Sequence, residues 1–488
     1  MALGRMVSCM YMRFLYLWLG LSTLTLVASQ TLVEYLPGYP GVLPFKLETG
    51  YIGVGEDEVV QLFYYFVESE GNPAEDPLVI WLNGGPGCST LRSFFYEIGP
   101  LLFEYGEYVD DVPLLKLDPN SWTKVANIIY LDAPTMTGFS YTRVPNIVTS
   151  DTLSASNTAE FLRKFVKSHP KFLNNPMYVT GISYSGIVVP IITQEIYKGN
   201  DMGLKPALNI QGYMLGNPLT NERSDINSRL EYAYRMALIS FELYEATRTS
   251  CHEEYVQTNP NDLSCMTNIE EVNKRVMDIN LQHILEPDCE DERTNIVKDG
   301  NPVKPANRQL LGYEPIRMLK ARTSRNKTLC PDYYYSYAGL WANNKKVRKA
   351  LNIREGTIKE WSLRNTNMTY RYNEVMPGYK YNVNNSVIYH AKLTKRDCRA
   401  LIFSGDHDMV VPYIGTHNWI RSLNLTITDS NWEAWYVKDQ VAGYKTSYTS
   451  NNYSLLFATV KGAGHTTPEY KHEECLTMIK RWFAHKPV

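Results

Sequence analysis

The sequence predicts an α/β fold, with a mainly parallel central sheet covered by helices and a cap insertion over it. Three observations predict it: short β-branched and aromatic runs recur along the chain, helix-like stretches lie between them, and one long polar segment breaks the rhythm. The runs are Pro77–Leu82 (PLVIWL), Ala126–Leu131 (ANIIYL), Met177–Thr180 (MYVT), Ile210–Leu215 (IQGYML), Ala400–Phe403 (ALIF) and Leu455–Val460 (LLFATV). They are apolar on both faces, which suits strands sandwiched between helix layers in a parallel sheet. Asn157–His169 and Ile187–Lys198 read as intervening helices. The segment from about Asn221 to Leu340 is polar, holds four cysteines and has few strand-like runs, so it reads as a cap within one domain.

The full chain has 488 residues, a hydrophobic fraction of 44% and a formal net charge of −2. Those values, with a mean hydropathy of −0.30, belong to a globular protein with a sizeable core. So small a charge gives no electrostatic reason to expect nucleic acid or anionic lipid as a partner. The 36 tyrosines suit carbohydrate or aromatic ligands, but ordinary core and surface positions account for them equally well.

Residues 1–29 read as a secretory signal peptide. Arg5 and Arg13 precede an apolar run, Phe14–Val27, and the small residues of Val27-Ala28-Ser29 offer a cleavage site before Gln30. The run has about 14 residues, short of the ~20 that span a bilayer. The expected mature domain, 30–488 with its cap at about 221–340, is then lumenal and free of the membrane. Sequons at Asn326, Asn367, Asn384, Asn424 and Asn452 agree with that compartment. Cysteines 88, 251, 265, 289, 330, 398 and 475 remain, an odd number, so at least one thiol is expected to stay unpaired. Spacing suggests a Cys251–Cys265 loop bridge and a Cys88–Cys330 staple, although pairing cannot be deduced from spacing alone. Lys298–Arg325, basic and aperiodic, reads as a solvated loop or a proteolytic processing site.

The chemistry lies where strands end. Gly181-Ile182-Ser183-Tyr184-Ser185-Gly186 follows a strand run and precedes a helix-like one, the setting of a nucleophile elbow, with Ser185 where strict G-x-S-x-G has its second glycine. Ser404-Gly405-Asp406-His407-Asp408 and Gly462-Ala463-Gly464-His465 follow two further strands, giving the chain order Ser, Asp, His of α/β-hydrolases. Serine needs a base to become nucleophilic, and the histidine needs an acid to fix its tautomer. Ser183, His465 and Asp408 are the candidates, with Asp408 preferred to Asp406 and His407 set aside as a neighbouring group. The glycine-rich loop Trp81–Cys88 (WLNGGPGC) suits an oxyanion hole, with Gly85 and Tyr184 as N–H donors. No Gly-Lys-Ser/Thr follows it, which argues against a phosphate loop. The nine histidines show no metal-ligand spacing, and neither a metal nor a cofactor is expected.

Together WLNGGPGCS, GISYSG, SGDHDMVVP, GAGHTTPEY and YLDAPTMTGFSY resemble the serine carboxypeptidase family, in order and spacing, from about Glu34 onward. The resemblance implies an α/β-hydrolase core with a cap, the triad Ser183, Asp408 and His465, and the oxyanion donors Gly85 and Tyr184. It also implies both disulfides, Cys88–Cys330 and Cys251–Cys265, and leaves Cys289 without its usual partner. In the family's peptidases a glutamate before the nucleophile, with residues matching Asn83, Gly84 and Glu97, forms the carboxylate-binding part of the site. Here Ile182 stands in place of that glutamate. Losing one partner of a charged group costs about 1.5–3 kcal/mol, or roughly tenfold to a hundredfold in recognition.

The expected activity is therefore that of the family's plant acyltransferase branch: transfer of an acyl group from a 1-O-β-glucose ester, through a Ser183 acyl-enzyme, to an alcohol or amine acceptor. The unusual Thr135-Met136 pair, expected near the pocket, suggests a specialised substrate. A serine carboxypeptidase is the first alternative and a non-catalytic companion paralogue the second. The small-molecule donor and acceptor are the expected partners, and a vacuolar or extracellular destination and a homo- or hetero-oligomer all stay open.

Overall fold

A computed structural model describes residues 31–287, 331–368, 376–429 and 431–488. The proposed signal peptide, the Lys298–Arg325 segment, Cys289, Cys330 and Asn326 lie outside the described residues.

One mixed sheet organises the molecule. The strands of its main path are β1 (Thr31–Val33), β2 (Leu47–Val54), β3 (Val60–Val67), β4 (Leu78–Leu82), β5 (Asn127–Leu131), β6 (Met177–Ile182), β7 (Ile210–Gly216), β8 (Cys398–Gly405), β9 (Thr426–Ile427), β10 (Gln440–Ser450) and β11 (Tyr453–Val460), while Tyr141–Thr142 pairs with β3 and Glu433–Val437 with β10 off that path. Their order across the sheet is β1-β2-β3-β5-β4-β6-β7-β8-β11-β10-β9. The six apolar runs of the sequence are the six neighbouring strands β5, β4, β6, β7, β8 and β11, and every pairing among them is parallel. Antiparallel strands flank them on both sides. β4 is buried at all five positions and β6 at all six, as strands between two helix layers should be.

Register places the site. Leu82 pairs with Gly181, Ile182 with Gly216, Gly216 with Phe403, and Gly405 with Val460. The carboxyl ends of β4, β6, β7, β8 and β11 are therefore level, and the loops beginning at Asn83, Ser183, Asn217, Asp406 and Lys461 leave the same edge. This is where open α/β sheets bind their ligands.

The layers against the sheet include α1 (Leu91–Tyr96), α2 (Asp151–Ser168) and α3 (Ser185–Asp201). α2 begins six residues before the sequence reading, because the Ser150 hydroxyl accepts from the Leu153 N–H and caps the helix earlier. After β7 come α4 (Glu222–Arg235), α5 (Phe241–Ser250) and α6 (Leu263–Val276), and after the next described break comes α7 (Pro331–Ala342). Ile226, Leu230, Tyr232, Val272 and Val276 form a separate hydrophobic cluster with Met409 and with Ile414 of α8 (Tyr413–Ser422). The last helix, α9 (His472–Phe483), buries Met478, Ile479 and Trp482 against the main core.

The Cys251–Cys265 disulfide is formed and joins the end of α5 to the start of α6. Cys88 is half-buried and unpaired among the described residues, and the Cys330 end of the expected Cys88–Cys330 bridge lies outside them. Cys398 and Cys475 are buried free thiols, closed in by the core on β8 and α9. Asn367, Asn384, Asn424 and Asn452 are exposed. No helix among the described residues is long and apolar enough to cross a membrane.

Candidate active site

Ser183 sits directly after β6 with φ of 61°, in the left-handed region that a non-glycine residue enters at some cost in strain. The turn is held from both sides: the Ser183 N–H donates to Gly216 O at 3.0 Å, and its carbonyl accepts from Gly186 and Leu219 N–H. Ser185 takes the place of the usual glycine because its hydroxyl reaches the carbonyls of Leu82 and Asn83, at 3.1 and 2.9 Å. A sharp turn of this kind presents the Ser183 hydroxyl beyond the sheet edge.

His465 Nε2 lies 2.8 Å from Ser183 Oγ, and His465 Nδ1 lies 2.8 Å from Asp408 Oδ2. The nucleophile, base and acid are thus connected with hydrogen-bond geometry, the arrangement that lets the imidazole take the serine proton. Asp408 is fully buried and its carboxylate is fully engaged. Its Oδ1 accepts from the Val410 and Val411 N–H groups and its Oδ2 from Asn217 Nδ2 at 2.7 Å. Asp406 points elsewhere, accepting from the Gly462 N–H at 2.7 Å, while His407 stacks on His283.

Asn217 was not singled out in the sequence. Its orientation is fixed, because Oδ1 accepts from the Thr467 hydroxyl at 2.5 Å and from the Gly405 N–H at 3.3 Å. The amide can then present only its NH2 to Asp408. The available signal was its place directly after β7, in Gly216-Asn217-Pro218.

The oxyanion side is built by the loop after β4. A Cβ at Gly84 would lie 2.6 Å from Ser183 Cβ and 2.9 Å from both Ser183 Oγ and the Tyr184 nitrogen, so only glycine lets the loop approach the serine. Gly85 follows with φ of 111°, and its N–H makes no hydrogen bond among the described residues. The loop that carries Gly85 is thus packed against Ser183 and the Tyr184 nitrogen. The Tyr184 hydroxyl is anchored by Asp151 at 2.7 Å, and the same carboxylate accepts from Tyr379, Asn382 and Val383.

Beside the loop, α1 carries a polar chain. Ser93 Oγ lies 2.5 Å from Asn83 Oδ1 and 2.6 Å from Glu97 Oε2, and the Trp81 indole N–H donates to Ser93 Oγ at 2.7 Å. The Asn83 NH2 donates to Ser89 O. Burial pushes the Glu97 carboxyl up to about 7, against the pull of Arg92 and of the Ser93 hydrogen bond. A protonated Glu97 lets every proton in this chain find one acceptor: Glu97 donates to Ser93, and Ser93 donates to Asn83. Ile182 joins none of this. It is 2% exposed, part of the core that also holds Trp81, Met214 and Phe403.

Arg92 was also missed by sequence reasoning. It is 8% exposed, with Nη2 donating to Tyr335 Oη at 2.6 Å and to Glu469 Oε2 at 3.2 Å. Glu469 accepts in turn from the Thr466 hydroxyl at 2.7 Å, beside the catalytic base. Ser89, Ser93 and Glu97 at four-residue spacing were the signal that one side of this segment is polar.

Residues 281–284 touch the loops that carry Asp408 and His465. Gln282 O accepts from the His465 N–H at 2.7 Å, the Ile284 N–H donates to His407 O, and the Met409 N–H donates to Leu281 O. A Cβ on Gly464 would fall 2.4 Å from Gln282 O. Among the described residues no group of His, Cys, Asp and Glu could hold a metal ion.

The sequence profile described as serine carboxypeptidase matches residues 37–485. Serine carboxypeptidase-like 17 of Arabidopsis thaliana is 43% identical over 483 residues, covering 99% of both chains. Serine carboxypeptidase-like 12 of the same plant is 44% identical over 462 residues, covering 94% of this chain and 95% of its own. Among solved structures, Kex1(delta)p, a prohormone-processing carboxypeptidase from Saccharomyces cerevisiae, superposes with a TM-score of 0.69 over 93% of this chain and 95% of its own. At 18% identity that likeness establishes the α/β-hydrolase fold and nothing finer.

Proposed function

The chain belongs to the serine carboxypeptidase family, and within that family we propose that it is an acyltransferase, moving an acyl group from a 1-O-β-glucose ester to an alcohol or amine. The observation that carries this reading is the state of the residues a peptidase of this kind would use to grip a carboxylate. Ile182 is apolar and buried, while Asn83, Ser93 and Glu97 are hydrogen-bonded to one another. A peptide's terminal carboxylate would have to break those bonds, at about 1–3 kcal/mol for each buried group left unpaired.

In the first step His465 Nε2 takes the Ser183 proton as Oγ bonds to the ester carbon. The carbonyl oxygen becomes anionic and is held by the N–H groups of Gly85 and Tyr184. As it collapses, the bond to the glucose oxygen breaks and that oxygen leaves with the proton from His465. In the second step the acceptor's O–H or N–H gives its proton to His465 and bonds to the acyl carbon. Ser183 Oγ leaves and recovers the proton. Asp408, held by Asn217, stabilises the imidazolium in both steps.

Purified protein incubated with a panel of acyl-glucoses and acceptors should yield acylated acceptor and free glucose, both abolished by Ser183→Ala. Release of C-terminal residues from blocked dipeptides, with only free acid from every acyl-glucose, would establish the carboxypeptidase alternative instead. A fluorophosphonate that fails to label Ser183 would favour the non-catalytic one. We further propose a lumenal location, the vacuole first. It is supported by the Cys251–Cys265 disulfide and the exposed sequon asparagines, and glycosidase treatment of plant-derived protein should lower its apparent mass.

A further inference from the structure

Asp408 sits on a turn that another helix grips from outside. Its Oδ2 faces Asn217 and His465, while its Oδ1 is held by the Val410 and Val411 N–H groups at 2.7 and 3.2 Å. Arg229 of α4 reaches the far side of that same turn: its Nε and Nη2 both donate to Val410 O, at 3.1 and 2.6 Å. The Val410 carbonyl and the Val411 N–H belong to one planar peptide. The guanidinium therefore touches one end of the group whose other end touches Asp408. Tyr232, one turn further along α4, donates to Asp406 O at 2.9 Å, so the helix holds the turn on both sides of the acid.

Packing alone does not call for a cation here. Ile226, Leu230 and Ala233 of the same helix already bury their side chains with Met409 and Ile414. Arg229 is 2% exposed, and taking a guanidinium out of water costs several kcal/mol. Glu222 and Asp225, earlier on α4, attract it and offset part of that cost. What a cation adds is polarisation. A charged donor on a carbonyl draws electrons toward its oxygen and makes the N–H of that peptide a stronger donor. A stronger Val411 N–H steadies the Asp408 carboxylate, whose Oδ2 must stay in line with His465 Nδ1 while the imidazole becomes charged.

We propose that Arg229 is a positioning residue for the triad, acting through the Val410–Val411 peptide to hold Asp408 in line with His465. The contacts then run unbroken from α4 to the nucleophile: Arg229, the peptide, Asp408, His465 and Ser183. The device serves acylation of Ser183 itself, so it holds whichever acceptor later takes the acyl group.

The test is a double-mutant cycle, read by the rate at which a saturating fluorophosphonate labels Ser183 in the full chain. Arg229→Met should slow labelling about tenfold, the equivalent of one hydrogen bond to a charged group, with the half-saturating probe concentration unmoved. The same substitution is then made in a His465→Ala background, where Asp408 has no base to serve and only residual reactivity remains. There it should change the rate by less than about twofold. Equal slowing in both backgrounds, or none in either, is what an arginine that only stabilises the fold would give, and it overturns the inference. If Arg229→Met does not fold, Arg229→Lys takes its place, keeping the charge but losing the two-pronged grip. Slowing by about fivefold, confined to the chain that retains His465, supports the inference, and equal or absent slowing overturns it. Failure of the probe to label Ser183 in the unaltered protein overturns it as well.

Discussion

Asn217 shows how much of the triad's competence rests on a residue outside it. Asp408 is buried, and Asn217 supplies one of its four hydrogen-bond partners, with Val410, Val411 and His465, while Thr467 and Gly405 hold that amide in place. Asn217→Ala should lower kcat for the acyl-enzyme step roughly tenfold to a hundredfold, the range for a hydrogen bond to a buried charge. The donor's KM should change little, because the partners of the Asn217 side chain are Asp408, Thr467 and Gly405, and rapid-quench measurement of the glucose burst separates the two effects. Gly84→Ala is the complementary experiment. The new Cβ would press on Ser183 Cβ and the Tyr184 nitrogen, so acylation should fall at least about tenfold with little change in thermal stability. Ser183, Asp408 and His465 were legible in the sequence because each follows a strand in a recognisable turn. Asn217, Ser93 and Arg92 were not, because a lone Asn, Ser or Arg is ordinary in sequence and acquires a role only from the partner the fold brings to it.

At the scale of elements, the six parallel strands were legible because burial on both faces writes itself as an unbroken apolar run. The antiparallel flanks were missed for the opposite reason. β10 mixes exposed, half-buried and buried positions among polar residues, and β3, wholly buried, carries no turn signal that gives its direction. Asp151, at the start of α2, ties three elements together: the residue after the nucleophile, the strand segment at Tyr379, and the backbone of Asn382 and Val383. Asp151→Ala should destabilise the protein by about 2–4 kcal/mol, since several buried donors lose their acceptor at once. Hydrogen exchange should show faster opening at Tyr379–Val383 than in β7. The Cys251–Cys265 bridge acts more locally, closing a separation of 14 residues between α5 and α6. Its reduction should cost about 3 kcal/mol by loop entropy, read as faster exchange in α5 and α6 with β4 and β6 protected.

For the whole molecule, buried acids set the response to pH. Burial pushes Glu97 and Asp225 up to about 7 and Asp132 to about 6. Each of these carboxyls binds its proton more tightly when folded, so its stabilising effect is full below the ordinary carboxylate range and is lost as pH rises through 6 to 7. Burial works the other way on His390, lowering it to about 3, so its contribution is present above the ordinary histidine value and wanes toward acid. Near pH 6 the acids have regained most of their protons and His390 has barely begun to oppose them. The melting temperature should therefore be higher at pH 6 than at pH 8, with Glu97 and Asp225 each contributing on the order of 1 kcal/mol over that interval. A melting temperature that climbs from pH 6 to pH 8 would contradict it. The contact of Gln282 and Ile284 with the loops of His465 and His407 also limits how this protein can be re-engineered or can diverge. The helices α4 to α6 look like a detachable accessory, but the chain leaving them returns to hold the base. A chimera that borrows a relative's helices should keep its chemistry only if the host's own 281–284 backbone stays behind. Inherited variation in substrate choice then has to accumulate around that short stretch, and the stretch itself has little freedom to change.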